Sequence, residues 1–288
     1  MSHCNGTKPY SPLQHSFENY MRLSGLSETT RKSYMRELTK LSRHYALPPH
    51  RLSAKQLEQY LLDEIDRGLA PRSTNVTVSA MKLFYEGVLS CPQRTASLTM
   101  RKVPRQLPKA VDESEIRDLI DAVSDIRYRA AIELAYATAL RISEVVALKV
   151  PDIDSRKSMI HVVCGKGGHE RMVFMPDCLL ERLRDYYRQI QPKPVEWVFY
   201  GAEPCQQMKA SALRYAFNQA RIKAGIGKGF TFHGLRHSMA THLLTRGARR
   251  EEVQDLLGHQ SPRTTQVYAC TTAATFEKLD HPAKHLLR

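Results

Sequence analysis

Apolar residues recur every three or four positions through most of this chain, and the recurrence breaks at identifiable helix signals. Ser11-Pro12 opens a first helix and Ser27 a second, in which Tyr34, Leu38, Leu41 and Tyr45 form one apolar stripe. The remaining surface of that second helix is cationic, with Arg31, Lys32, Arg36, Lys40 and Arg43. Ser53 and Gln56 have capping-box spacing for a third helix ending near Gly68, and Val76 to Val88 give a fourth run with Met81 and Phe84 inward. The pattern predicts a small helical bundle over residues 11–91.

The periodicity lapses from Cys91 to Ala110. Three prolines, Arg94, Arg101, Lys102, Arg105 and Lys109, with no acid, read as an extended basic linker at 92–110. Asp112 with Glu115 starts a new helical region through Leu140, broken at Arg141-Ile142-Ser143 and resumed through Leu148. In MIHVVCGKGGHERMVFMP two β-rich runs flank a glycine-rich turn, which predicts a hairpin with Lys166 at its tip. The second domain, 111–288, is therefore expected to be mainly helical with one small β element.

Composition bounds the picture without changing it. At 288 residues and 42% hydrophobic, the chain can bury one large core or two modest ones. The first ten residues, MSHCNGTKPY, lack the apolar core of a signal peptide, and the run AAIELAYATAL is short and carries Glu133, so a soluble intracellular protein is expected. Its six cysteines, Cys4, Cys91, Cys164, Cys178, Cys205 and Cys270, are scattered without a CxxC pair, which fits free thiols rather than zinc or disulfides.

Charge does change the picture. The net charge is +14, and between Glu203 and Glu251 there is no acid, while Lys209, Arg214, Arg221, Lys223, Lys228, Arg236, Arg246, Arg249 and Arg250 are all basic. A solvated surface usually mixes signs, so a one-signed stretch of this length reads as a wall facing a polyanion such as nucleic acid. The residues expected to meet DNA are Arg31, Lys32, Arg36, Lys40, Arg101, Lys102, Arg105, Lys209, Arg214 and Arg221.

Within the acid-free stretch, HGLRHSMATHLL gathers three histidines and an arginine, a combination open to a metal or a phosphate. At about 100° per residue, His233, Arg236 and His237 share one side of a helix, Leu235 and Met239 face away, and His242 falls roughly opposite His233. Three histidines so placed do not converge, no carboxylate accompanies them, and Arg236 repels a cation. A guanidinium flanked by imidazoles suits a phosphate, so no metal and no cofactor are expected.

Set in order along the chain, TALRISEVVAL with Arg141 and Glu144, the hairpin with Lys166, HGLRH with His233, Arg236 and His237, LLGH with His259, and TTQVY with Tyr268 resemble the tyrosine recombinase (phage integrase) family, in its Xer-like and mobile-element branches. The likeness runs from about residue 13 nearly to the end. It implies an N-terminal SAM-like core-binding bundle and a mostly helical catalytic domain forming a C-shaped clamp on duplex DNA. It also implies a homotetramer on two synapsed sites and strand exchange through a Holliday junction, inside a prokaryotic cytoplasm at the nucleoid.

The chemistry of the family fits the residue types. In phosphodiester transesterification Arg141 and Arg236 are expected to clamp the non-bridging oxygens, and Tyr268 to attack phosphorus, giving a 3′-phosphotyrosine that a 5′-hydroxyl can reseal without ATP. Lys166 is the expected acid for the departing 5′-oxygen. His233 and His259 would donate to the phosphate or handle the tyrosine proton, Glu144 would orient the basic groups, and His237 would support its helix. Two departures are visible: Ala139 stands where the family usually has glycine, and Ala269-Cys270 follows Tyr268 where Thr-His is common. The same charge and residues leave two alternatives, relaxation of DNA in the manner of a type IB topoisomerase and a catalytically silent DNA-binding regulator. The C-terminal run TFEKLDHPAKHLL, holding Phe276, Leu279 and Leu286, has the pattern to dock on a neighbouring protomer or on its own domain.

Overall fold

In a computed structural model, residues 12–104, 110–163, 170–257 and 280–287 are described, and the chain divides into two compact units, 1–106 and 107–288. The first unit holds four helices, α1 (Pro12–Leu23), α2 (Glu28–Tyr45), α3 (Ala54–Asp66) and α4 (Pro71–Gly87). Ser27 caps α2 by accepting the Thr30 N–H, and Ser53 and Gln56 close a capping box on α3. Helix α4 begins at Pro71, earlier than the apolar run suggests, because proline needs no N–H partner in the first turn. The core is built from the expected stripes: Leu38, Leu41, Leu57, Met81 and Phe84 are buried, and Phe17 meets Phe84 edge-on at 5.3 Å between ring centroids.

The segment read as a linker from residue 92 is anchored at its start. Leu98 is buried, Arg94 Nη1 donates to the carbonyls of His50 and Leu52, and the Asn75 side chain bonds both backbone groups of Arg101. Arg101 in turn donates to the Leu69 carbonyl, so its charge serves the bundle. Pairing like this is invisible to a rule that equates proline and charge with extension.

The second unit runs α5 (Glu113–Asp121), α6 (Ile126–Thr138), α7 (Ile142–Ala147), β1 (Ile153–Asp154), β2 (Met159–Val163), β3 (Glu170–Phe174), α8 (Asp177–Gln189), α9 (Ala210–Lys223), α10 (Phe232–Thr245), α11 (Arg250–Leu257) and α12 (Ala283–Leu286). The single helical region expected from Asp112 to Leu140 is two helices, because Asp125 accepts the Arg127 N–H and starts α6 afresh. The hairpin is antiparallel, with Ile160 opposite Val173 and Val162 opposite Arg171, and β1 adds a short third strand. Its turn, residues 164–169, lies outside the described residues.

Helix α10 packs on α6 and α11. Leu235, Met239 and Leu243 are buried at helical spacing, and Gly234 is required because a Cβ there would come within 2.5 Å of the Phe230 ring. Residues 280–287 pack on the chain's own second unit: Ala283, Leu286 and Leu287 join its core, and Arg117 donates to the His285 carbonyl at 2.7 Å. Phe276 and Leu279 lie outside the described residues. Among the described residues no helix is long and apolar enough to cross a membrane.

Candidate phosphate-binding site

Two helix ends and one strand meet at the site. Helix α6 ends at Ala139, whose backbone is left-handed (φ 54°), and Arg141 then takes an extended conformation as the cap of α7. A non-glycine residue in the left-handed region costs roughly 1–2 kcal/mol, and the buried Ala139 methyl offsets about 0.8 kcal/mol of that. Alanine is therefore tolerated where glycine is usual. The turn aims Arg141 outward and leaves the Ala139 carbonyl to accept Arg236 Nη1 from α10 at 2.8 Å.

Glu144, buried, is the hub. Its Oε2 accepts the Arg141 N–H at 2.8 Å and Arg171 Nη2 at 2.9 Å, while Oε1 accepts Arg141 Nη1 at 3.0 Å and Arg171 Nη1 at 2.9 Å. Burial alone would raise its carboxyl; the Arg171 fork, the Arg141 backbone bond and the guanidinium charges outweigh that and bring it down to about 2. Burial, reinforced by Arg141 and Arg171, lowers Arg236 to about 10, which leaves it charged at neutral pH. Among the described residues two guanidinium groups thus bond Glu144, and a third, Arg236, lies near enough to feel its charge. The surplus positive charge is partly buried, and Arg141, with its side chain 49% exposed, opens it to solvent.

The depressed Glu144 carboxyl has a consequence for stability. A group held near 2 when folded, against 4.5 ordinarily, contributes stability that is complete above the ordinary value and is lost as pH falls toward 2. Urea unfolding followed from about pH 5 down to about pH 3 should therefore show the unmutated protein losing stability faster than Glu144→Gln, which has no such carboxyl to protonate. Parallel losses in the two proteins would count against the arginine-saturated carboxylate.

The histidines of α10 divide as the helical geometry requires. The rings of His233 and His237 meet edge-on at 4.7 Å between centroids. Burial, then the charges of His237, Arg236 and Arg141, keep His233 below its ordinary range, so it is neutral at pH 7 with one donor nitrogen. Burial and Arg236 do the same to His237. His242 belongs to the opposite face: one ring nitrogen meets the Tyr136 hydroxyl at 2.8 Å and the other the Val111 carbonyl at 2.9 Å. Ser238 accepts the Val111 N–H, so both backbone groups of Val111 are held by α10.

Arg141, Glu144, His233, Arg236 and His237 are therefore brought together, whereas Lys166, His259 and Tyr268 lie outside the described residues. Arg171 was not foreseen. The signal was present: it shares the inward face of β3 with Val173, opposite buried Val162, and a charged residue on such a face needs a partner. Among the basic residues assigned to DNA, Arg221 must be withdrawn, since it is buried and donates to the Ile226 carbonyl at 2.6 Å, closing the end of α9. Arg31 is tied to Glu18 and the Leu26 carbonyl. Lys102, Lys209 and Arg214 are exposed. Lys32, Arg36 and Lys40 are also exposed but lean on Glu28 and Glu37. Arg105 lies outside the described residues.

Comparison with known proteins shows the family of both units. Residues 109–274 match the phage integrase family, and residues 13–95 match the phage integrase N-terminal SAM-like domain. A Sinorhizobium fredii protein named as an integrase/recombinase is 34% identical over 284 residues, spanning 95% of this chain and 91% of that protein. Tyrosine recombinase XerA of Pyrococcus furiosus is 33% identical over 268 residues, 91% of each chain. A solved lambda integrase dimer bound to a COC′ core site shares the fold at 20% identity, with a TM-score of 0.70 over 86% of this chain and 94% of that one. The chain belongs to the phage integrase family, whose relatives include the tyrosine recombinases.

Proposed function

We propose that the arginine cluster holds the scissile phosphate of duplex DNA and that the protein is a site-specific recombinase, cutting and rejoining DNA through a covalent 3′-phosphotyrosine. The observation that supports this reading is the charge balance at Glu144: among the described residues one carboxylate stands beside Arg141, Arg171 and Arg236, a partly buried cationic environment that suits a phosphate. The Tyr268 hydroxyl gives its proton to His259 as its oxygen bonds to phosphorus, the bond from phosphorus to the 5′-oxygen breaks, and Lys166 gives that oxygen its proton. Resealing reverses each transfer with a different 5′-hydroxyl, so the phosphoester energy is kept and ATP is not used. Arg141 and Arg236 meet the charge that develops on the non-bridging oxygens, and neutral His233 adds a donor. The exposed Lys102, Lys209 and Arg214 supply phosphate-backbone contacts beyond the reacting centre. Four copies would act on two synapsed sites through a Holliday junction, in the cytoplasm of a prokaryotic cell.

The test is a nicked duplex carrying a recombination site from the DNA flanking the encoding gene, incubated with protein in EDTA without ATP and resolved under denaturing conditions. A covalent complex at the 3′ phosphate is expected. A requirement for zinc or ATP, relaxation of supercoiled DNA irrespective of site, or binding without a covalent product would each overturn the reading.

A further inference from the structure

Arg171 has no assigned part in the reaction as proposed above, yet among the described residues it makes the most complete contact in the site. Its two terminal nitrogens grip both oxygens of Glu144 in a parallel fork, while Arg141 offers the same carboxylate one guanidinium nitrogen and its backbone N–H. The two arginines share an acceptor unequally. Arg171 is the more enclosed, its side chain 15% exposed against 49% for Arg141.

We propose that Arg171 is a positioning residue that occupies Glu144 so that Arg141 remains available to the phosphate. A buried carboxylate takes the strongest cationic partner within reach, and the fork-to-fork pair is the strongest that arginine makes. With Arg171 in place that pair is already made, and Arg141 is held by its backbone and one nitrogen. Without Arg171, Arg141 becomes the nearest guanidinium to a carboxylate that has lost both Arg171 bonds. It then turns inward to form the fork itself, away from the non-bridging oxygens. The defect of an Arg171 variant thus comes from what Glu144 does to Arg141, and removing the carboxylate should cure it. Glutamine at 144 keeps an acceptor for the Arg141 N–H, since glutamine serves this cap position as well as glutamate.

This inference rests on the recombinase reading, and its test separates the two. Cleavage by full-length Arg171→Gln and by the double variant Glu144→Gln, Arg171→Gln is compared with that of the unmutated protein. Each is measured on ordinary nicked duplex and on duplex whose bridging 5′-oxygen is sulfur, which leaves without a proton. Arg171→Gln should be slower by about 10-fold to 100-fold on both substrates, because Arg141 acts on the non-bridging oxygens and not on the leaving group. The double variant should regain most of that loss, at a temperature where circular dichroism shows all three proteins folded. Full recovery of Arg171→Gln on the sulfur substrate would overturn the proposal, since Arg171 would then serve the proton donor on the hairpin. So would a double variant as slow as Arg171→Gln, which would make the arginine itself the required group. Failure of the unmutated protein to cleave either substrate would instead strike the recombinase reading.

Discussion

Tyr268→Phe should bind recombination-site DNA with unchanged affinity and form no covalent complex, a loss limited only by detection. The substitution removes one oxygen, and the groups proposed to meet the phosphate, Arg141, Arg236 and His233, sit on α6–α7 and α10, so the anion site survives it. Gel shift under native conditions measures the affinity, and the denaturing gel measures the covalent product. A Phe variant that still traps DNA would mean that another hydroxyl is the nucleophile.

Arg236→Lys should cut cleavage by about 100-fold to 1000-fold while leaving DNA affinity nearly intact. The side chain is given two tasks: Nη1 donates to the Ala139 carbonyl at 2.8 Å, and the planar guanidinium is proposed to meet a phosphate. Lysine's donors radiate from one nitrogen and do not reproduce that planar fork. The Ala139 carbonyl also belongs to the turn that aims Arg141, so losing the contact loosens both arginines. Single-turnover cleavage on a nicked duplex gives the rate, and a near-normal value would remove Arg236 from the clamp.

Much of this was legible in the sequence because it depends on local rules. Caps at Ser27 and Ser53, the buried stripe of α10 and the pairing of β2 with β3 follow from spacing alone, as does the separation of His242 from His233. What escaped is what distant segments do to charge. The stretch without acids reads as a uniform cationic wall, yet acids from elsewhere reach into it: Glu113 and Asp280 take Arg246. Arg221 turns back on its own helix end. Glu144 shows the same limit, since Arg141 lies at a spacing that sequence can flag, whereas Arg171 arrives from a strand twenty-seven residues away. The unusual alanine at 139 was visible as a letter, but its left-handed backbone and its bond to Arg236 required coordinates.

The most direct test of the central claim is to identify the linked residue itself. The unmutated protein is trapped on a nicked duplex in EDTA, the complex is digested with protease and nuclease, and the peptide carrying a nucleotide is sequenced by mass spectrometry. The account predicts one modified peptide, containing Tyr268 joined to a 3′ phosphate. A nucleotide on any other residue, or a linkage to a 5′ phosphate, would contradict it.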